Sequence, residues 1–257
     1  MTIGKKRVII SGFVVFSILC SLFYAAHIRP PEAEAGDSPE YLLEAYHIYN
    51  HGVFSSSPSP DGATPGIGRE PGYATVLAMI MAVDPAFSRF MPDCVEEPRS
   101  CDDRIYRAPQ LANAVLIGLA GLTLFAATWL LTGSPLAATV AGGYLLLNLQ
   151  MHKGWYYIAS DHLALWLLTL VMLATVWAAR SKGGGRWLVV GGTLAALTLV
   201  KAVFLYFTML SLVAAAVVAL ARPQTRRLVS SAGLAVFVVY SLMIGGGWPA
   251  TTCPRGV

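Results

Sequence analysis

The chain has 257 residues, 56% hydrophobic and only 12% charged, with a mean hydropathy of +0.60 and a net charge of +4. Such sparse charge among long apolar runs excludes an ordinary soluble domain, because a run of ~18 or more apolar residues reads as a membrane-spanning helix. The basic residues sit in small clusters between apolar segments, which excludes the continuous basic face of a nucleic-acid binder.

Lys5-Lys6-Arg7 precede an apolar run from Val8 to Ala26. Ala33-Glu34-Ala35 loosely resembles a signal-peptide cleavage site, but the run exceeds the ~7–15 residues of a signal h-region. It is read as an uncleaved first span, about 8–26. Residues 27–107 form a large polar segment that carries all but one of the 14 acidic residues. Within it, Asp37-Ser38-Pro39-Glu40 reads as a helix start: an oxygen-bearing cap, a first-turn proline and an acid at the positive helix end. Tyr41, Leu42, Ala45, Ile48 and Tyr49 continue at helical spacing, and Gly52 is a stop signal. Residues 54–68, rich in Ser, Pro and Gly, read as extended loop. Tyr73 to Val83 is apolar but too short to span. Both short helices are expected at the membrane surface. Cys94 and Cys101 favour a local disulfide if the loop lies outside the cytoplasm, with free thiols or a metal pair as alternatives. Cys20 falls inside the first span and reads as an apolar side chain.

Further spans are expected at about 110–131, 135–151, 162–179, 187–200, 203–221 and 228–247. Lys201 interrupts one apolar stretch. Two short helices in a hairpin are preferred there over one long helix, because about 35 apolar residues exceed the ~20 of a single span. The fold class is therefore all-α: a polytopic bundle of about seven spans, one membrane domain over 1–257, with a large outer loop bearing interfacial helices. The N-terminal cluster, Arg180/Lys182/Arg186 and Arg222/Arg226/Arg227 then share one side, which the positive-inside rule makes cytoplasmic. The polar loop, Lys153, Asp161 and Lys201 fall outside, in a cell inner or plasma membrane.

Asp37 reads as an N-cap or as a general base at the membrane surface. Asp161, the only acid in the last 154 residues, follows Trp155-Tyr156-Tyr157. It reads either as a helix cap, with Ser160 competing, or as a functional carboxylate at the edge of a span. Arg69 offers a planar fork suited to phosphate, or it pairs with Glu70 or lipid headgroups. Lys153 and Lys201 also fall outside. Lys201 would snorkel or bind phosphate. His47 and His51 stand i, i+4, but no HExxH motif accompanies them and no metal site is assigned. No P-loop, no GxGxxG after a strand and no GxSxG is present, so nucleotide-driven transport and serine hydrolysis lack support.

These residues, in this order, resemble the N-terminal half of GT-C-type membrane glycosyltransferases, the superfamily of protein O-mannosyltransferases and the lipid A aminoarabinose transferase. The resemblance rests on Asp37-x-x-x-Tyr41, a helix ending in His51-Gly52-Val53-Phe54, and Arg69-Glu70-Pro71-Gly72-Tyr73. Arg107 and Asn113 then open the second span and Ser160-Asp161 the fourth. It covers roughly residues 5–248. It implies transfer of a sugar from a polyprenyl-phosphate donor to a lipid, glycan or protein acceptor outside the cytoplasm, usually with inversion. Asp37 would activate the acceptor, Asp161 would be a second catalytic carboxylate, and Arg69 with Lys201 would hold the donor phosphate. No cofactor is assigned, and no nucleic acid is expected as a partner. Ser38 stands where relatives often carry a second acid. Relatives usually continue with more spans, so the polar tail 248–257 reads as the product of a frameshift or premature stop, which would leave the chain inactive. The alternative reading is a non-catalytic polytopic membrane protein, a transporter subunit or assembly partner.

Overall fold

The computed structural model describes residues 3–28, 36–59, 66, 68–96, 101–148, 154, 156–180 and 185–221. Among the described residues the chain is all-helical, without a strand. The described residues form nine α-helices, in order α1 (Ile3–Ala26), α2 (Ser38–His51), α3 (Pro71–Val83), α4 (Asp93–Glu96), α5 (Arg107–Thr132), α6 (Pro135–Leu147), α7 (Asp161–Ala179), α8 (Arg186–Val200) and α9 (Val203–Ala221).

Among the described residues, three helical segments are long and apolar enough to cross a membrane by length and composition: Gly4–Ala26, Asp103–Thr132 and Asp161–Ala179. They point to a membrane protein. Large apolar side chains lie exposed along α1 (Val15, Leu19, Leu22), α6 (Leu136, Val140, Leu147) and α9 (Leu210, Val213). In water such a surface would be a liability, whereas in hydrocarbon it is solvated. Two of the expected spans fall below a full crossing, 135–151 shorter than expected and 187–200 at its expected short length. The segment 135–151 yields a helix of 13 residues and 187–200 one of 15, below the ~20 of a full span. The expected span at 228–247, the tail 248–257 and Lys153 lie outside the described residues.

The bundle is built on α5, which packs against α1, α6 and α7, while α8 covers α7 and α9 follows α8. Helix direction can be read from contacts at the ends. Asn113 near the start of α5 donates to the Tyr157 carbonyl just before α7, at 2.8 Å. Arg180 just past α7 reaches the Leu131 carbonyl at the end of α5. Hence α5 and α7 run parallel, and α6 returns the chain between them. Tyr24 near the end of α1 donates to the Leu146 carbonyl near the end of α6, so these two helices also run together. Close approach of α5 and α6 depends on glycine: a Cβ on Gly142 would stand 3.0 Å from the Gly121 carbonyl oxygen and 2.5 Å from Phe13. Small residues at such crossings are the usual means of bringing apolar helices into contact in lipid.

The segment between α1 and α5 folds onto one end of the bundle. There α2 packs on α3, and α3 on α8. Tyr41, Leu42, Ala45, Tyr73, Leu77 and Met81 join a core that continues into α7 and α8. A disulfide joins Cys94 and Cys101, and Cys20 is a free thiol in α1.

Candidate active site

The end of the bundle covered by α2 and α3 gathers four of the charged residues singled out in the sequence. Asp37 occupies the N-cap position of α2, yet its carboxylate makes no capping bond. It accepts instead from Arg69 Nη2 at 2.7 Å. Glu40, one turn into α2, accepts from Arg69 Nε at 2.6 Å. The guanidinium thus spans two carboxylates on one helical turn, and the hydrogen bond it donates to Glu40 raises its pKa further. The alternative pairing of Arg69 with Glu70 is not among its ion pairs: Glu70 turns to Tyr41 on α2 and to the start of α9.

Asp161 and Lys201 form the second ion pair. Asp161 is the first residue of α7, and Ser160 before it makes no side-chain cap, so neither expected cap is present. Lys201 breaks the long apolar stretch: its backbone is extended (φ −146°, ψ 113°), and α8 stops one residue before it. Two helices therefore replace one, as the sequence implied.

No ion pair joins the two clusters directly among the described residues. The link is a buried phenol and a carboxylate that sequence reasoning did not single out. The Tyr41 hydroxyl lies 3.3 Å from Glu70 Oε2 and 3.1 Å from Ser160 Oγ. Burial, reinforced by the charges of Glu70 and Asp37, pushes its pKa up to about 12 and keeps it protonated. The other Glu70 oxygen accepts from the Ala202 backbone N–H at 2.9 Å, placing an acid at the positive end of α9 from outside that helix. Glu70 thereby joins α2, α3 and α9.

Arg69-Glu70-Pro71-Gly72-Tyr73 acquires a physical meaning here. Pro71 starts α3, where a missing N–H costs nothing. A Cβ on Gly72 would come within 2.7 Å of the Leu199 carbonyl oxygen, so only glycine lets α3 seat directly on the end of α8. Tyr73 is buried against Tyr41 with its hydroxyl 3.5 Å from Asn113 Oδ1, and burial raises its pKa.

Glu44 is a third residue to which the sequence reading gave no role. Its side chain is fully buried, and Oε1 accepts from the backbone N–H of Arg69 at 2.7 Å and of Gly68 at 3.0 Å. Its position was a usable signal: residue 44 shares the helical face of Tyr41, Ala45 and Ile48, so an acid there must be buried. Burial pushes its pKa up to about 7, against the lowering effect of the two N–H donors.

Beside these clusters an apolar groove of about 390 Å³ runs between the start of α3, the start of α7 and the end of α8. Gly72, Val76, Leu163, Leu199 and Val200 line it, as does Trp166, whose indole N–H is buried without a partner. Its lining residues adjoin Glu70 and Lys201 in the chain. A larger cleft, about 610 Å³, lies by the disulfide and contains none of the expected site residues. His47 is buried with Nε2 2.9 Å from the Ser57 carbonyl, a structural contact. Among the described residues no group of three or more metal-ligating side chains gathers.

No family model matches the chain, and neither a curated protein nor a solved structure matches it.

Proposed function

We propose that the chain is a membrane glycosyltransferase of GT-C type, or the N-terminal part of one, acting on a polyprenyl-phosphate-linked sugar. The observation that carries this reading is the juxtaposition at one end of the bundle. Two carboxylate–cation pairs stand beside an apolar groove whose walls lead directly into Glu70 and Lys201. A lipid-borne substrate needs both features together, a dry channel for the chain and polar chemistry at its mouth. The reading includes about seven spans, a cytoplasmic N-terminus and a site on the outer face.

In the reaction, the acceptor hydroxyl or amine attacks the anomeric carbon, and Asp37 takes its proton. The bond between that carbon and the phosphate oxygen breaks, and the polyprenyl phosphate leaves with the electron pair. Arg69 and Lys201 offset the charge that grows on the leaving oxygen. Both cations are already neutralised by carboxylates, so an incoming phosphate has to displace those carboxylates. Displacement frees Asp37 for the acceptor, which couples donor binding to the availability of the base.

The same pairing favours a second reading. An arginine held by two carboxylates is also what a purely structural brace requires, as in a non-catalytic subunit of a membrane assembly. Membranes containing the chain, supplied with radiolabelled polyprenyl-phosphate sugars, separate the two. The enzyme reading expects transfer by the wild type and its loss in Asp37→Ala and Arg69→Ala, with both variants inserted normally. Equal transfer in all three would remove this site assignment, and no transfer by the wild type would favour the brace.

A further inference from the structure

We propose that Glu44 is the positioning residue of this site: by clamping two consecutive backbone N–H groups with one buried carboxylate oxygen, it fixes where Arg69 stands. The proposal rests on the reading above only for what Arg69 does, not for how Arg69 is held.

The geometry is specific. Arg69 precedes α3, on a stretch without helical hydrogen bonds of its own. Its side chain is partly exposed and reaches to carboxylates that are themselves half-exposed. Ion pairs of that kind are weak and exchangeable. The backbone is held differently. Glu44 has no accessible surface, so the acceptor end of its two part-buried bonds to Gly68 and Arg69 is held inside the fold. A Cβ on Gly68 would stand 2.9 Å from Ser56 Oγ and 3.3 Å from Glu44 Oε1, so the loop is seated against the carboxylate. The side-chain contacts of Arg69 can therefore change partners while its Cα stays in place, as an exchange of carboxylate for phosphate demands.

The second Glu44 oxygen is buried without a partner. The charged groups facing Glu44 are Glu40 on its own helix and Glu70 at the start of α3, and both disfavour its ionisation. Arg69 directs its guanidinium to Asp37 and Glu40. His47 lies one turn further along α2, bonded to Ser57, while Asp161 and Lys201 are paired with each other beyond Tyr41. The closed loop thus holds a proton on Glu44 more tightly than an opened loop would. By linkage, opening becomes easier as pH rises from the ordinary carboxylate range toward about 7, and levels off above that.

Amide exchange of the full chain in lipid nanodiscs, followed by mass spectrometry over the peptide containing Gly68 and Arg69, tests this without any assay of transfer. Glu44→Ala is expected to speed exchange of those two amides about tenfold or more, as befits a lost hydrogen bond to a charged acceptor. Glu44→Gln keeps an acceptor oxygen and should restore most of the protection. Unchanged exchange in a folded Glu44→Ala variant would overturn the proposal. Should that variant fail to fold, the comparison of wild type with Glu44→Gln decides. After correction for intrinsic exchange, wild-type protection should fall between pH 5 and about 7 and the variant's stay flat. Gly68 and Arg69 amides that exchange in the wild type as fast as unprotected ones would refute the clamp, whatever the pH profile. If the clamp is found but no sugar transfer is, the proposed function fails and the positioning role stands.

Discussion

At the scale of single residues, Arg69 and its two carboxylates decide how the site works. Asp37 and Glu40 contact different nitrogens of one guanidinium, so they need not be equivalent. In the proposed chemistry Glu40 would compete with phosphate for Arg69 and has no other role. Removing its charge in Glu40→Gln should therefore tighten binding of polyprenyl phosphate. Partly exposed ion pairs are worth ~0.2–1 kcal/mol, so the gain should be up to about fivefold. Titration of the detergent-solubilised chain with polyprenyl phosphate measures it. Weaker binding in Glu40→Gln would mean that Glu40 orients Arg69 for the ligand instead of competing with it. The Asp37→Asn variant should also bind more tightly, yet fail in transfer. That split between binding and turnover is hard to explain if Asp37 is only a brace.

At the scale of elements, the boundaries of α2 and α3 were legible in the sequence and their attachments were not. Gly52 ends α2 in the left-handed conformation (φ 65°), and Pro71 opens α3, as local chemistry dictates. These signals lie within a few residues of the feature they mark. By contrast, Asp37 resembles an N-cap in every local respect, and only the arrival of Arg69, 32 residues away, takes its carboxylate elsewhere. Glu70 bonds Ala202 across 132 residues, a contact no window of sequence contains. Asp161 and Lys201 were found because charge is rare in apolar surroundings, and Asp37 and Arg69 because each stands just before a short helix. Of their partners, Tyr41 and Ser160 were named without a linking role, and Glu44, on a regular helical position, was passed over. Span 135–151 was overestimated because hydropathy does not register where helical hydrogen bonding stops, whereas 187–200 came out at its expected short length. The seat of α3 on α8 yields a prediction at this scale. Gly72→Ala forces a Cβ toward the Leu199 carbonyl at 2.7 Å, where backbone must move. Overpacking of this kind costs about 1–3 kcal/mol. Thermal unfolding in detergent should show a clear drop in Tm, with loss of transfer as Glu70 leaves Ala202. Gly143→Ala is the control, since nothing lies within 4 Å of its added methyl. Equal Tm values for the two variants would dismiss the close seat.

At the scale of the whole molecule, the parallel course of α5 and α7 has the largest consequence. Both helices start at the end that carries the ion pairs and finish at the end where Arg180 meets Leu131. Asp37, Arg69, Asp161 and Lys201 therefore share one end of the bundle through tertiary contacts alone. The distribution of Lys and Arg reaches the same grouping by a separate route, since it puts the basic clusters at the opposite end. If α5 spans a membrane, its two ends must differ in access. Asp103 lies exposed just before α5 and Thr132 exposed at its close. With Cys20 and Cys253 replaced by serine, Asp103→Cys in intact spheroplasts should react with a membrane-impermeant thiol reagent. Thr132→Cys should react only after the membrane is opened. Reaction of both from outside would mean that α5 does not cross the bilayer, and the site would lose its membrane setting. Reaction of Thr132→Cys alone would keep the span but turn the site toward the cytoplasm, where the basic clusters should not be. The disulfide between Cys94 and Cys101 makes an independent demand in the same direction, because such bonds persist in oxidising compartments and are rare in the cytosol. An outward-facing Asp103, two residues from Cys101, would satisfy both the charge pattern and the redox chemistry with one orientation.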